Sequence, residues 1–265
     1  MRFESIGAAG RSAFTTSARV LYSLVGRRRT LSANRRLGGV LAAIAGAINA
    51  GGFLAVQRYT SHMTGIVSSV ADDLAIGSLG LALGGLVALA SFITGAACTA
   101  LLINWARRRR LHSKYALALM VEAGLLLMFG LVGANLQTYA QLLVPAAVLL
   151  LCFIMGLQNA IITKISAAEI RTTHMTGIVT DIGIELGRLI YWNRNASANR
   201  VHVVRADRDK LFIHLSILGL FFGGGVVGAL AFKAMGFAAT IPIACALAAL
   251  ALPPILFDLH VHRPR

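Results

Sequence analysis

Six apolar stretches constrain this chain more than any other feature of its sequence. They cover residues 37–56, 79–105, 115–133, 139–162, 211–232 and 237–257. Each stretch is long enough to cross a bilayer, which takes roughly 20 residues. Only 13% of the residues are charged, whereas a soluble domain has about a quarter. Because a bilayer offers backbone amides no water, each stretch is predicted to be a helix of one membrane domain.

The distribution of basic residues predicts the topology. All but two of the 25 Lys and Arg residues lie in the tails or in loops that six spans would place on one side, the exceptions being Arg58 and Lys233. Under the positive-inside rule, both termini are therefore predicted to be cytoplasmic. The net charge of +15 then reflects topology and anionic membrane lipid, so no nucleic-acid partner is predicted.

A duplicated motif divides the chain into two halves. Ser-His-Met-Thr-Gly-Ile-Val at 61–67 recurs as Thr-His-Met-Thr-Gly-Ile-Val at 173–179, which is 112 residues later (177 − 65). Gly-Ala-Ile-Asn-Ala at 46–50 similarly matches Gly-Leu-Gln-Asn-Ala at 156–160. So long a period indicates duplication of one unit. With three spans per unit, the second copy is inverted in the membrane, as in many transporters.

Each motif opens a short apolar segment, at 65–77 and 177–190, that carries carboxylates. We expect each segment to be re-entrant or interfacial, because a complete crossing would place basic clusters on opposite sides. The predicted fold class is an all-α membrane protein with six transmembrane helices as two inverted three-helix repeats, each with such a half-helix. The predicted divisions are a basic cytoplasmic tail (1–36), the two repeats (37–133 and 134–257) and a cytoplasmic C-terminal tail (258–265).

The two Thr-Gly pairs of the motifs are the main candidates for solute binding. If each pair starts a half-helix, its free N–H groups and positive dipole end suit an anion or a polar solute. The predicted substrate-binding residues flank these helix starts and the ends of the first and fourth spans: Thr64, Gly65, Thr176, Gly177, His62, His174, Asn49 and Asn159. The structural alternatives are helix capping, tight packing at glycine and hydrogen bonding between helices.

Three carboxylates are predicted to couple ions or protons to solute movement. Asp73 and Glu185 occupy matched positions in the two half-helices, and Glu122 lies within the third span. Ionisable groups at membrane depth are expensive and commonly mark a pathway, a relay or a buried pair. The alternative is local pairing, with Arg188 as the partner of Glu185. His214, at a span entrance, is interpreted as solvated.

Together these residues resemble the YoaK family of bacterial six-span integral membrane proteins, a domain family of unknown function. The matching stretches are 45–53, 61–65, 156–160 and 171–177, and the resemblance extends over about 37–257. Many members carry an acidic residue where this chain has Asn49. The resemblance implies the bacterial cytoplasmic (inner) membrane and supplies no established substrate.

The leading functional hypothesis is a small-solute transporter or channel with a midplane site between the inverted repeats. The alternative is a non-transporting membrane scaffold or assembly protein, and self-association as a homo-oligomer is left open. A weaker third hypothesis is an intramembrane enzyme using His62 and His174. The sequence has no recognisable catalytic set, phosphate loop or metal-spaced cysteine pair, so no enzyme activity, catalytic residue, cofactor or metal is predicted.

Overall fold

The computed structural model describes residues 31–111, 113–136, 138–165, 175–191 and 204–261. All regular structure in these ranges is helical, with eight α-helices and one 3₁₀ turn. The α-helices are α1 (Leu31–Val56), α2 (Met63–Ala75), α3 (Leu79–Arg108), α4 (Ala116–Ala134), α5 (Ala140–Ile165), α6 (Met175–Ile190), α7 (Arg208–Met235) and α8 (Thr240–Val261). The 3₁₀ turn, Gly236–Ala239, joins α7 to α8.

By length and composition, five helical stretches in the described ranges could cross a membrane: Arg35–Val56, Leu79–Arg108, Ala116–Ala134, Ala140–Lys164 and Arg208–His260. The last is 53 residues long and contains α7, the 3₁₀ turn and α8. Each of the six predicted apolar stretches overlaps one long helix. The prediction of an all-α, multi-pass membrane protein is confirmed, while the six crossings and the inverted repeat stay predictions.

Two glycines allow the sharp turns between helices. Gly77, with φ of 77°, lies between α2 and α3, and Gly236, with φ of 57°, lies between α7 and α8. L-residues with a side chain rarely adopt this left-handed region. The turn at Gly77 folds α2 back on α3, where Val70 packs against Gly85. The motif helix α2 is therefore one arm of a helical hairpin.

Helices α1 and α7 pack closely and run parallel. Their contacts recur at every fourth residue of both helices: Gly39 with Leu220, Ala43 with Gly224, Ala47 with Gly228, and Gly51 with Phe232. Added methyl groups at Gly224 and Gly228 would overlap the backbone of α1. Small residues spaced by four allow such close approach in lipid, where apolar burial does not drive association.

Helices α3 and α5 form a second parallel pair with the same spacing. The Ser91 hydroxyl donates to the carbonyl of Leu149 at 2.7 Å, and the Thr99 hydroxyl donates to that of Leu157 at 3.0 Å. Between them, Gly95 lies against the carbonyl of Phe153. These side chain–backbone hydrogen bonds fix the register of two otherwise apolar helices.

The remaining contacts join the two pairs into one bundle. Helix α5 runs antiparallel to α1, because Gln158 donates to the Leu41 carbonyl at 3.3 Å while Leu151 lies against Gly52. Helix α8 runs antiparallel to α4, since Asp258 accepts from the Ser113 N–H at 2.7 Å while Phe237 packs on Phe129.

Candidate functional site

A cavity of about 760 Å³ lies between α2, α3, α5 and the segment that precedes α2. Pockets of roughly 300–1,000 Å³ hold small molecules in many proteins. The wall includes three residues predicted from the sequence as site or coupling residues: His62, Gly65 and Asp73.

One face of α2 supplies the polar side of the cavity. His62, Gly65, Ser69 and Asp73 are spaced three or four residues apart, so they share one helix face. The hydroxyl of Ser69 lies 3.5 Å from a carboxylate oxygen of Asp73, at the limit of a hydrogen bond. The face therefore combines an imidazole, a hydroxyl and a carboxylate.

Helices α3 and α5 supply the apolar side. Leu81, Val87, Val148 and Leu149 line it, and Pro145 interrupts the backbone hydrogen bonding of α5 there. The space itself is created partly by glycine, because a Cβ atom added at Gly84 would meet nothing within 4 Å. The cavity is thus apolar on one side and polar on the other, which is typical of organic-ligand sites.

Two charged groups of opposite sign, Arg58 and Asp73, line this cavity without pairing. None of the ion pairs within the described residues contains Arg58 or Asp73. Every guanidinium nitrogen of Arg58 is therefore more than 4.0 Å from the carboxylate oxygens of Asp73. The Arg58 side chain is exposed, and that of Asp73 is half-buried. Both are free to contact a solute.

Two predicted site residues of the first half lie beside the cavity and do not line it. Asn49 accepts a hydrogen bond from Ser61 at 2.7 Å and so holds the segment before α2. Thr64 is exposed at the start of α2, and no side chain caps this helix. Structural positioning is therefore the better-supported role for Asn49.

The second motif lies only partly within the described residues. His174 is outside them, whereas α6 begins at Met175, with Thr176 exposed and Gly177 half-buried. The carbonyl of Thr176 accepts a hydrogen bond from the Thr180 hydroxyl at 2.8 Å. A pairing of His62 with His174 stays a prediction, as does a shared site at the two helix starts.

The carboxylates of α6 are paired, unlike their counterpart in α2. Glu185, 1% exposed, accepts from Arg188 at 2.8 Å and from the backbone N–H of Asp207 at 2.8 Å. Asp181 lies 3.4 Å from Lys210 and 3.9 Å from His214. These contacts hold α6 against α7, so the geometry favours local pairing for Glu185.

Comparison with known families assigns the chain. The family described as "Protein of unknown function (DUF1275)" matches residues 37–252, well over half of the chain. The protein is a member of the DUF1275 family. This confirms the predicted resemblance, because YoaK belongs to the same family. No curated protein and no solved structure matches the chain.

The region matched to DUF1275 contains the whole cavity and both motif helices. It also contains Glu122, which is fully buried within α4, and neither carboxyl oxygen has a hydrogen-bond partner among the described residues. Asn159, predicted as a site residue, has a similarly unpartnered side-chain oxygen in α5. Neither residue lines the cavity, so the structure does not bring them to the α2 site.

One residue of this DUF1275 member was misjudged from the sequence, and the position of another was missed. The interpretation of His214 as solvated is wrong: its side chain is buried, because α7 packs it near Asp181. Arg58 was used only for topology, although it lines the cavity. In the described part of the chain, no three His, Cys, Asp or Glu side chains form a group that could hold a metal ion.

Proposed function

We propose that this protein moves a small organic solute across the bacterial cytoplasmic membrane, as a transporter or channel whose binding site is the α2–α3–α5 cavity. The observation that carries this proposal is the cavity itself, which joins an apolar wall to a polar face. That face includes Asp73, a carboxylate with no ion-pair partner among the described residues. If α2 is re-entrant, as proposed, a carboxylate at that depth is costly, and function is the usual reason to retain one.

Matching contacts in the two halves support an inverted repeat as the basis of transport. Gly46 of α1 lies against the carbonyl of Phe221 in α7, and its counterpart Gly156 of α5 lies against the carbonyl of Phe92 in α3. In the same way, Gly224 abuts Ala43, while Gly95 abuts Phe153. Helices α1 and α5, equivalent under the repeat, are antiparallel. Repeats of this kind can exchange conformations around a central site.

The segment before α2 supports a re-entrant motif. Asn49 lies seven residues before the end of α1, which is about 10 Å of helix. Its hydrogen bond to Ser61 draws the chain back along α1 before α2 begins. Such backbone is tolerated at membrane depth when it lines a cavity or lies within protein.

The two halves differ in a way that suits alternating access. In the first half, Ser69 and Asp73 face an open cavity. At the matched positions of the second half, Asp181 forms an ion pair with Lys210 of α7, and Glu185 forms one with Arg188 of α6. In this proposal the first half is open and the second is closed, with Asp73 and Glu122 as the leading coupling residues.

The test is a substitution that fills the cavity. Gly84→Leu places a side chain into open space, so it is expected to abolish solute flux in proteoliposomes while the melting temperature stays close to that of the wild type. Gly219→Leu is the matched control, because Gly219 also has open space and does not line the cavity. Unchanged flux in Gly84→Leu would exclude the cavity as the pathway.

A further inference from the structure

We propose that the α2–α3–α5 cavity binds a zwitterionic solute with an apolar body. Its ammonium group would face Asp73, its anionic group Arg58, and its apolar part the α3–α5 wall. This inference rests on the proposed function for the identity of the site and adds the substrate class.

The charges of the cavity wall are the first support. Asp73 and Arg58 line the same cavity and form no ion pair with each other. Within the described ranges, neither has another ion-pair partner. A ligand with both charges would satisfy both groups through charge-assisted hydrogen bonds, which are stronger than neutral ones. A cation or an anion alone would meet one favourable and one unfavourable group.

The opposite wall is the second support. Leu81 and Val87 of α3 line the cavity together with Val148 and Leu149 of α5, and Gly84 leaves open space beside them. Burying apolar ligand surface there is favourable by about 25 cal/mol per Å². An inorganic ion or a sugar could not use this wall, whereas an aliphatic or aromatic body could.

Two sources share this chemistry, namely a free amino-acid-like or dipeptide-like solute and the head group of a zwitterionic lipid. Leu83 of α3 and Leu142 of α5, close in sequence to lining residues, are exposed, so a lipid source is tested as well. The shared recognition element is an ammonium group and an anion on one molecule, and the arms of the experiment separate the sources.

Equilibrium binding to the purified full-length protein tests the inference. The probes are leucyl-leucine, its N-acetyl derivative, which is only anionic, and its amide, which is only cationic. Leucyl-leucine is expected to raise the melting temperature with a saturable dependence on concentration, because a ligand of the native state stabilises it. Each single-charge analogue is expected to bind about tenfold or more weakly, since it loses one charge-assisted contact.

Variants assign each charge. Asp73→Asn is expected to weaken leucyl-leucine and the amide about tenfold while leaving the N-acetyl derivative unchanged or tighter. Arg58→Gln should show the converse pattern. Asp72→Asn and Lys233→Gln are matched controls, since neither residue lines the cavity, and both should bind like the wild type. Melting of each variant without probe reports whether it is folded.

The lipid arm repeats the measurement in nanodiscs of phosphatidylethanolamine or of phosphatidylglycerol. If phosphatidylethanolamine competes with leucyl-leucine and phosphatidylglycerol does not, and if this competition is lost in Asp73→Asn, the inference is supported with lipid as the source. Binding of the amide as tight as that of leucyl-leucine, no effect of Arg58→Gln, or no probe binding would overturn it. Binding without flux in any proteoliposome assay would leave this inference intact and count against the proposed function.

Discussion

The side chain of Asn49 accepts a hydrogen bond from the hydroxyl of Ser61 at 2.7 Å, across the end of α1. This contact positions the segment that carries His62 beside the cavity. Asn49 therefore influences the cavity indirectly, by positioning the segment before α2.

Asn49→Leu is expected to lower the free energy of unfolding by about 1 kcal/mol, because it removes the acceptor of the Ser61 hydrogen bond. Asn49→Asp should cost less, since a carboxylate also accepts this bond. Denaturant titration in detergent measures both values. Equal losses in the two variants would show that the hydrogen bond contributes nothing to stability.

Gly46→Ala and Gly156→Ala are each expected to destabilise the protein by roughly 1–3 kcal/mol, because the added methyl group would overlap a backbone carbonyl that cannot move aside alone. Gly223→Ala, with open space around it, should be neutral or slightly stabilising. Thermal melting of the three variants gives the comparison. A tolerated Gly46→Ala would mean that α1 and α7 are less closely packed.

The sequence predicts helix existence well and helix packing poorly. Hydropathy places each long helix, but nearly uniform apolar composition does not say which face of a helix meets another. In the glycine-rich part of α7, Gly224 and Gly228 contact α1, whereas Gly223 has open space around it. The sequence of a membrane helix does not distinguish these positions, because the lipid around the bundle is as apolar as the contacts between its helices.

The candidate site was predictable where chemistry repeats along the chain. The duplicated motif led to His62, Gly65 and Asp73, which line one cavity. For the matched carboxylate Glu185, the pair with Arg188 was one of the predicted alternatives and is present. The hydrogen bond from the Asp207 backbone could not be predicted, because Asp207 lies 22 residues further on. The apolar cavity wall has no sequence signature that separates it from lipid-facing surface.

The two ion pairs of α6 should differ in strength. Among the described residues, Arg188→Met leaves the buried Glu185 with the Asp207 N–H as its remaining partner, so we expect a loss of about 1–3 kcal/mol. Lys210→Met should cost under about 1 kcal/mol, since Lys210 and Asp181 are 44% and 39% exposed. Denaturant titration at low and high salt compares them. A larger loss for Lys210→Met would contradict this ranking.

The proposed topology predicts opposite accessibility for two loop positions. In a cysteine-free background, Ser78→Cys is expected to react with a membrane-impermeant maleimide added to intact cells, whereas Lys164→Cys should react only after permeabilisation. Ser78 lies between α2 and α3, and Lys164 lies near the end of α5. Labelling of both positions from one side would exclude six alternating spans.

Glu122 offers the sharpest distinction between a structural and a coupling role. A buried polar group without a partner costs about 1–3 kcal/mol, and the Glu122 carboxyl has none among the described residues. Glu122→Leu is therefore expected to stabilise the protein by roughly that amount. If the carboxyl carries a proton during transport, the same variant should lose flux driven by a proton gradient and keep solute binding at the α2–α3–α5 cavity. Glu122→Gln serves as the control, because it preserves size and polarity but cannot exchange a proton. Full proton-driven flux in Glu122→Gln would exclude the coupling role.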